Sequence, residues 1–181
     1  MKNIDFENFS NLVLQRQACR KFQNKTVEQE KLDAIMELAL LAPSACNSQP
    51  WKLVCVTSKP SVDSLRKCLQ SCDHNKFLDN VTSFIAIIDE DAVLRADVDS
   101  AFSNNRFVQY DVGELIAYLT LGAKSIGLDT CIIGWMDEKE MPSILGLNSN
   151  EVCRIVVAVG YSDDKLRTKI RKSKEQKIVK L

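Results

Sequence analysis

The residues that could do chemistry are few, and they come in short runs. Arg16 and Arg20 stand four apart in Arg16-Gln17-Ala18-Cys19-Arg20-Lys21-Phe22. Two guanidiniums so close in sequence repel unless an anion lies between them, and their forked donors fit a phosphate. Lys169-x-Arg171 repeats the theme near the C-terminus, where an extended chain would point both side chains to one side. Taken alone, the first pair reads as a solvated basic turn and the second as a solvated terminus. Between them lies Pro43-Ser44-Ala45-Cys46-Asn47-Ser48-Gln49-Pro50-Trp51. Ser44, Asn47 and Gln49 are donor–acceptor side chains on a segment stiffened by Pro43 and Pro50, suited to the edge of a heterocycle or a sugar-like chain. The plainer reading is a well-capped helix–strand connection with Trp51 as its anchor. A fourth run, Cys131-Ile132-Ile133-Gly134-Trp135, is a strand ending in glycine. Backbone N–H groups there could approach a flat ligand, or the strand could simply end.

What is missing narrows the chemistry. Asp89, Glu90 and Asp91 cluster only at a strand end, and no carboxylate pair stands out as an acid/base couple, which argues against a hydrolase. Neither G-x-G-x-x-G nor G-x-x-x-x-G-K-[ST] occurs. The single histidine, His74, lies in a polar turn and reads as a solvated loop residue. Zinc sites built on histidine pairs are unavailable, and a Ser-His or Cys-His nucleophile would have to use His74 itself.

Positioning these runs falls to alternating helices and strands. Phe6, Phe9 and Val13 recur at helical spacing. Thr26 and Gln29 have capping-box spacing before a helix that buries Leu32, Ile35, Met36 and Ala39 and stops ahead of Pro43. Residues 52–57 read as a strand, and Ser61 as the cap of a helix with Val62, Leu65 and Leu69 inward. Phe84-Ile85-Ala86-Ile87-Ile88 is apolar on both faces, hence a central strand. Over 89–105 the pattern weakens to a loop or short excursion. Val108, Val112, Leu115, Leu119, Ala123 and Ile126 then hold one stripe over five turns, closed by Gly127. Gly113 and Gly122 on that helix predict close backbone approach. A strand at 130–133, a helix with capping-box spacing at Asp137 and Glu140 ending at Gly146, and a strand at 152–159 complete the series. Four strands among five helices make a mixed α+β chain, and 181 residues predict one domain over 1–181.

Lys+Arg and Asp+Glu balance at 24 each, so the whole chain carries no nucleic-acid-like bias. The balance is uneven: eight basic residues lie between Asp163 and Leu181 against Asp163, Asp164 and Glu175. That basic tail lacks interleaved aromatics for base stacking. The seven cysteines form no Cys-x-x-Cys pair and several sit in apolar runs, which predicts buried free thiols in a reducing cytosol. With no apolar signal core at the N-terminus and no stretch of membrane-spanning length, a cytoplasmic protein without a membrane partner is expected.

Taken in order, these runs resemble the nitroreductase family of flavoproteins over nearly the whole chain. Arg16 to Phe22 is similar to the family's Arg-Arg-Ser-x-Arg-x-Phe, and Pro43 to Trp51 to its Pro-Ser-x-x-Asn-x-Gln-Pro-Trp loop, the most specific piece. Asp111-Val112-Gly113 through Gly127-Leu128, Ile133-Gly134-Trp135, Val159-Gly160-Tyr161 and Lys169-x-Arg171 also fit. The resemblance implies a central, mostly antiparallel sheet flanked by helices, in a homodimer that exchanges terminal segments and binds FMN at the subunit interface. It implies an NAD(P)H-dependent oxidoreductase working by ping-pong hydride transfer on nitroaromatics, quinones or similar small acceptors, with the flavin and no side chain carrying the chemistry. The same scaffold also admits an FMN enzyme for one specific metabolite, or a non-enzymatic FMN-binding protein.

The cofactor-binding residues so implied are Arg16, Gln17, Ala18, Arg20, Pro43, Ser44, Ala45, Asn47, Gln49, Lys76, Ile132, Ile133, Gly134, Lys169 and Arg171. Arg16, Lys169 and Arg171 would meet the phosphate. Arg20, joined by Lys76, would face the flavin pyrimidine edge. Ser44 and Asn47 would bind the ring edge or the ribityl chain, and the amides of Ile133 and Gly134 would approach N5 and O4. Two positions depart from the family pattern: Gln17 replaces its second arginine and could still donate, uncharged, to phosphate, while Ala18 replaces its serine and leaves only a backbone amide. The brief 89–105 segment predicts an open active site.

Overall fold

In the computed structural model, which describes residues 5–102 and 106–181, four strands form one antiparallel sheet. They are β1 (Trp51–Val56), β2 (Ser83–Asp89), β3 (Asp129–Ile133) and β4 (Val152–Gly160), in the order β1-β2-β4-β3. The parts of the expectations above that fall on 1–4 and 103–105 lie outside the described residues. Successive strand side chains alternate between faces. Phe84, Ala86 and Ile88 of β2 therefore join one core layer while Ile85 and Ile87 join the other. Inner β4 does the same, with Val156 and Ala158 on one side and Val157 and Val159 on the other. Both faces being covered explains the unbroken apolar run in β2.

The first layer packs α3 (Lys59–Leu69) and α6 (Met141–Leu145) on the sheet, and the second packs α2 (Gln29–Ala39) and α5 (Val108–Ser125). Helix α1 (Phe6–Gln15) rests against α5. A sixth helix, α4 (Ala96–Ala101), lies in the 89–105 excursion. Its sequence, Ala-Asp-Val-Asp-Ser-Ala, buries no residue, so it has no apolar stripe to betray it.

Helix starts differ from the capping-box readings. Helix α2 begins at Gln29 after Glu28, which makes no side-chain cap, so the Thr26–Gln29 spacing is out of register with the helix. Ser58, not Ser61, caps α3, accepting from Ser61 N at 3.4 Å. Asp137 Oδ1 accepts from Lys139 N at 3.1 Å in a turn that precedes α6. The C-terminal signals hold: Gly127 takes φ +81° after α5 and Gly146 takes φ +66° after α6. Close approach is real at Gly122, where an added Cβ would lie 2.7 Å from Leu38 Cδ2 of α2; at Gly113 such a Cβ would meet nothing within 4 Å in the protomer.

Candidate functional site

After α1 the chain lays its 16–20 run against outer strand β3. Ala18 pairs in parallel with Thr130, and Cys19 N donates to Thr130 O at 2.8 Å. Arg16 and Arg20 thereby flank the strand whose far end carries Ile132, Ile133 and Gly134. The C-terminal tail returns along the same edge. Lys169 Nζ donates to the Arg16 carbonyl, and the Arg167 guanidinium donates to the Ala18 carbonyl. Arg167 also clasps both oxygens of Asp164, at 2.9 and 2.8 Å, and Asp164 accepts from Arg20 N at 2.8 Å.

Gln17 fastens this seam. Its Nε2 donates to Lys165 O and its Oε1 accepts from Arg167 N, each at 3.0 Å. Both ends of the amide bond tail backbone, and the second Nε2 proton can still be donated.

The electrostatics of the edge are lopsided. Burial first, then repulsion from Arg16, Arg171, Arg167 and Lys124, push the Lys169 ammonium below the usual lysine range. Asp164 answers Arg167. Among the described residues no carboxylate pairs with Arg16, Lys169 or Arg171. Like charges gathered without counter-charge favour an anion, and a phosphate monoester offers both the charge and the acceptor geometry.

The loop between α2 and β1 is strained and tightly held. Cys46, Asn47 and Gln49 adopt left-handed backbone at φ +54°, +56° and +49°, a region that costs non-glycine residues about 1–3 kcal/mol and persists only where their surroundings impose it. Here they do. Gln49 N donates to Ser44 Oγ at 2.9 Å, Gln49 Nε2 to Asn47 O at 3.1 Å, and Val93 N to Ser48 Oγ at 2.6 Å. Ala45 N donates to both carboxylate oxygens of Asp111 at 3.2 Å. Asp111 sits in the first turn of α5 and is 6% exposed. Burial, helped by Glu114, pushes its carboxyl above the usual range, and the Ala45 N–H opposes this. Trp51, 5% exposed, anchors the loop in the second core layer. Ser44 still has a proton to donate, and the exposed Asn47 side chain makes no hydrogen bond among the described residues.

Strand order keeps the two halves apart. Strands β1 and β3 are the outer strands, so three strand spacings, about 14 Å, separate their edges. The 43–50 loop enters at the Trp51–Asp89–Val152 end of the sheet, whereas Ala18 pairs near the Gly160 end. One chain thus lays Arg16, Gln17, Ala18, Arg20, Lys169 and Arg171 along the β3 edge, which runs on to Ile132, Ile133 and Gly134, and leaves Pro43, Ser44, Ala45, Asn47 and Gln49 at the other edge. Lys76 falls on the β3 side: next to it Phe77 lies 5.9 Å from the Arg20 guanidinium, and Asn75 Nδ2 donates to Trp135 O at 3.3 Å. Its ammonium pairs with Asp73 at 3.2 Å.

Asp164 and Arg167 escape motif reading, and the Asp111 motif does not reveal its contact with Ala45, because each acts on a partner distant in sequence. His74 is exposed in a turn, as its sequence reading has it, and its ring also stacks on Trp135.

Comparison with known proteins names the arrangement. The nitroreductase family profile matches residues 13–161. An oxygen-insensitive NADPH nitroreductase of Helicobacter acinonychis is 26% identical, covering 98% of this chain and 99% of that protein. A nitroreductase-like protein of Streptococcus mutans superposes with a TM-score of 0.84 at 16% identity, covering 98% of this chain and 100% of the other. An FMN-dependent nitroreductase of Clostridium difficile R20291 gives 0.73 at 24% identity, covering 93% and 96%. The chain belongs to the nitroreductase family. No helix among the described residues is long and apolar enough to cross a membrane.

Proposed function

We propose that this protein is a homodimeric, cytoplasmic NAD(P)H oxidoreductase, one FMN-binding domain spanning 1–181, that reduces nitroaromatics, quinones or similar small acceptors by ping-pong turnover. The observation that carries the reading is the set of unanswered cations, Arg16, Lys169 and Arg171, on the edge that ends in Ile133–Gly134. These residues fit FMN: the cations suit its phosphate, Arg20 and Lys76 its pyrimidine edge, and Gly134, lacking a side chain, lets the backbone approach a flat ring. FMN when bound supplies a hydride acceptor that NADH or NADPH reduces and the second substrate reoxidises. The chain's part is to hold and orient, since hydride transfer needs geometry rather than a protein acid.

Dimerisation is supported by apolar surface that a lone protomer leaves in water. Phe6, Phe9, Val13 and Leu14 of α1 and Tyr110 and Tyr118 of α5 are exposed. A groove of 440 Å³ runs between Phe9, Leu12, Leu38, Tyr118 and Leu121. A partner seated there would bring its own 43–50 loop to complete the site. Free thiols throughout the described chain suit a reducing compartment. The test is simple: purified protein loaded with FMN should be yellow and bleach on anaerobic addition of NADH or NADPH. Colourless protein that takes up no added FMN would sink the reading.

A further inference from the structure

Trp135 follows Gly134 directly, just beyond β3, and is 49% exposed. A tryptophan on a surface has no need to be held still, yet this one is fixed at three points. Its Nε1 donates to Ser71 O at 3.1 Å, its carbonyl accepts from Asn75 Nδ2 at 3.3 Å, and the His74 ring stacks on it with centroids 3.9 Å apart and planes 17° from parallel. The holding segment is itself fastened. Asn75 Nδ2 also donates to Leu69 O at 2.9 Å, and His74 Nδ1 lies 2.9 Å from Cys72 O. Cys72, Asp73 and Asn75 take left-handed backbone at φ +53°, +65° and +50°. Two residues further on, Phe77 meets the Arg20 guanidinium. A flat indole stacked on one face, bonded at its Nε1 edge and half exposed is a pre-ordered stacking surface, so a planar ring that lands on it does not have to immobilise it.

We infer that Trp135, positioned by His74, is the stacking wall of the acceptor seat and selects planar, multi-ring acceptors. This rests on the FMN reading, because Gly134 at the reactive edge is what sets Trp135 beside that seat. Trp135 is the residue that touches the acceptor; His74 acts through it. A two-ring quinone or nitroaromatic gains stacking area on the indole, whereas a small inorganic acceptor gains none.

The test uses full-length, FMN-loaded protein and 2-naphthoate, a two-ring carboxylate that takes no hydride. By calorimetry, Trp135→Ala should weaken naphthoate binding about tenfold, the scale of one aromatic stack. His74→Ala should weaken it less, and His74→Phe should restore it. With a two-ring naphthoquinone the loss should fall on KM and should exceed any loss with ferricyanide. Naphthoate that fails to bind the wild type, or binds Trp135→Ala and His74→Ala as tightly, overturns the inference, as do equal losses with ferricyanide. Flavin absorbance read on each sample keeps the two proposals apart. A wild type that takes up no FMN defeats the functional reading; FMN-loaded variants with unaltered naphthoate affinity defeat only this one.

Discussion

Lys169 carries the hardest electrostatic problem in the chain. Its ammonium is partly buried, faces Arg16, Arg171 and Arg167, and rests on a carbonyl in place of a carboxylate. Its depressed pKa records that strain, and a bound phosphate would relieve it by favouring the charged form. Replacing Lys169 and Arg171 by alanine should therefore cut FMN affinity by about a hundredfold or more, since each charge-assisted bond is worth about 1.5–3 kcal/mol. The same double variant should change the Tm of flavin-free protein little, because it removes repulsion and costs the hydrogen bond to the Arg16 carbonyl but breaks no ion pair among the described residues. Flavin-fluorescence titration and thermal melts would read both effects; unchanged FMN affinity would mean the tail serves another purpose. Sequence alone singled out Arg16, Arg20 and Lys169-x-Arg171, because paired cations are visible in any linear reading. It did not foresee that the Gln17 amide also bonds tail backbone 148 and 150 residues away. Nothing local in Arg16-Gln17-Ala18 encodes the path by which the tail comes back.

Between elements, one polar contact ties the end of β4 to the start of α2. Tyr161 OH donates to Glu28 Oε2 at 2.6 Å and accepts from Lys31 Nζ at 2.7 Å, while Lys25 Nζ sits 3.7 Å from the ring centroid. That Tyr161 hydrogen bond is the main reason the Glu28 carboxyl falls from 4.5 to about 2. A folded-state pKa below the unfolded value contributes stability that is complete above pH 4.5 and is lost as the pH falls towards 2. Tyr161→Phe keeps the ring under Lys25 and removes the hydroxyl. Wild type should be the more stable above pH 4.5, and the gap between the two melting curves should close as the pH approaches 2. A gap that stays constant across that window would deny Glu28 the role. The elements themselves were largely readable. Phe84 to Ile88 announced a strand covered on both faces, and the Val108–Ile126 stripe announced α5. Caps were not, because Thr26, Ser61 and Asp137 are suitable cap residues whose use depends on where the backbone turns. Helix α4 could not be read, since it buries nothing.

For the whole molecule, the decisive fact is that the two halves of the candidate site lie on opposite outer strands. Sequence order could not reveal this, because Ser44 and Arg16 are closer along the chain than Arg16 and Lys169, which meet. Strand order β1-β2-β4-β3 reverses that proximity. If each FMN is held by the cations of one protomer and the 43–50 loop of its partner, lesions in the two halves should complement. One protomer would carry Lys169→Ala with Arg171→Ala. The other would carry Ser44→Ala with Asn47→Gly, the glycine chosen because it accepts the left-handed backbone at position 47. Each variant alone forms dimers in which both sites are damaged. In a mixed dimer of composite sites, one site collects both lesions and the other is wild type throughout. Co-expressed, differentially tagged protomers purified as the heterodimer should then bind one FMN per dimer with wild-type affinity. If a single chain builds the whole site, each half of the heterodimer keeps its own lesion and neither binds normally, so flavin stoichiometry alone separates the two arrangements.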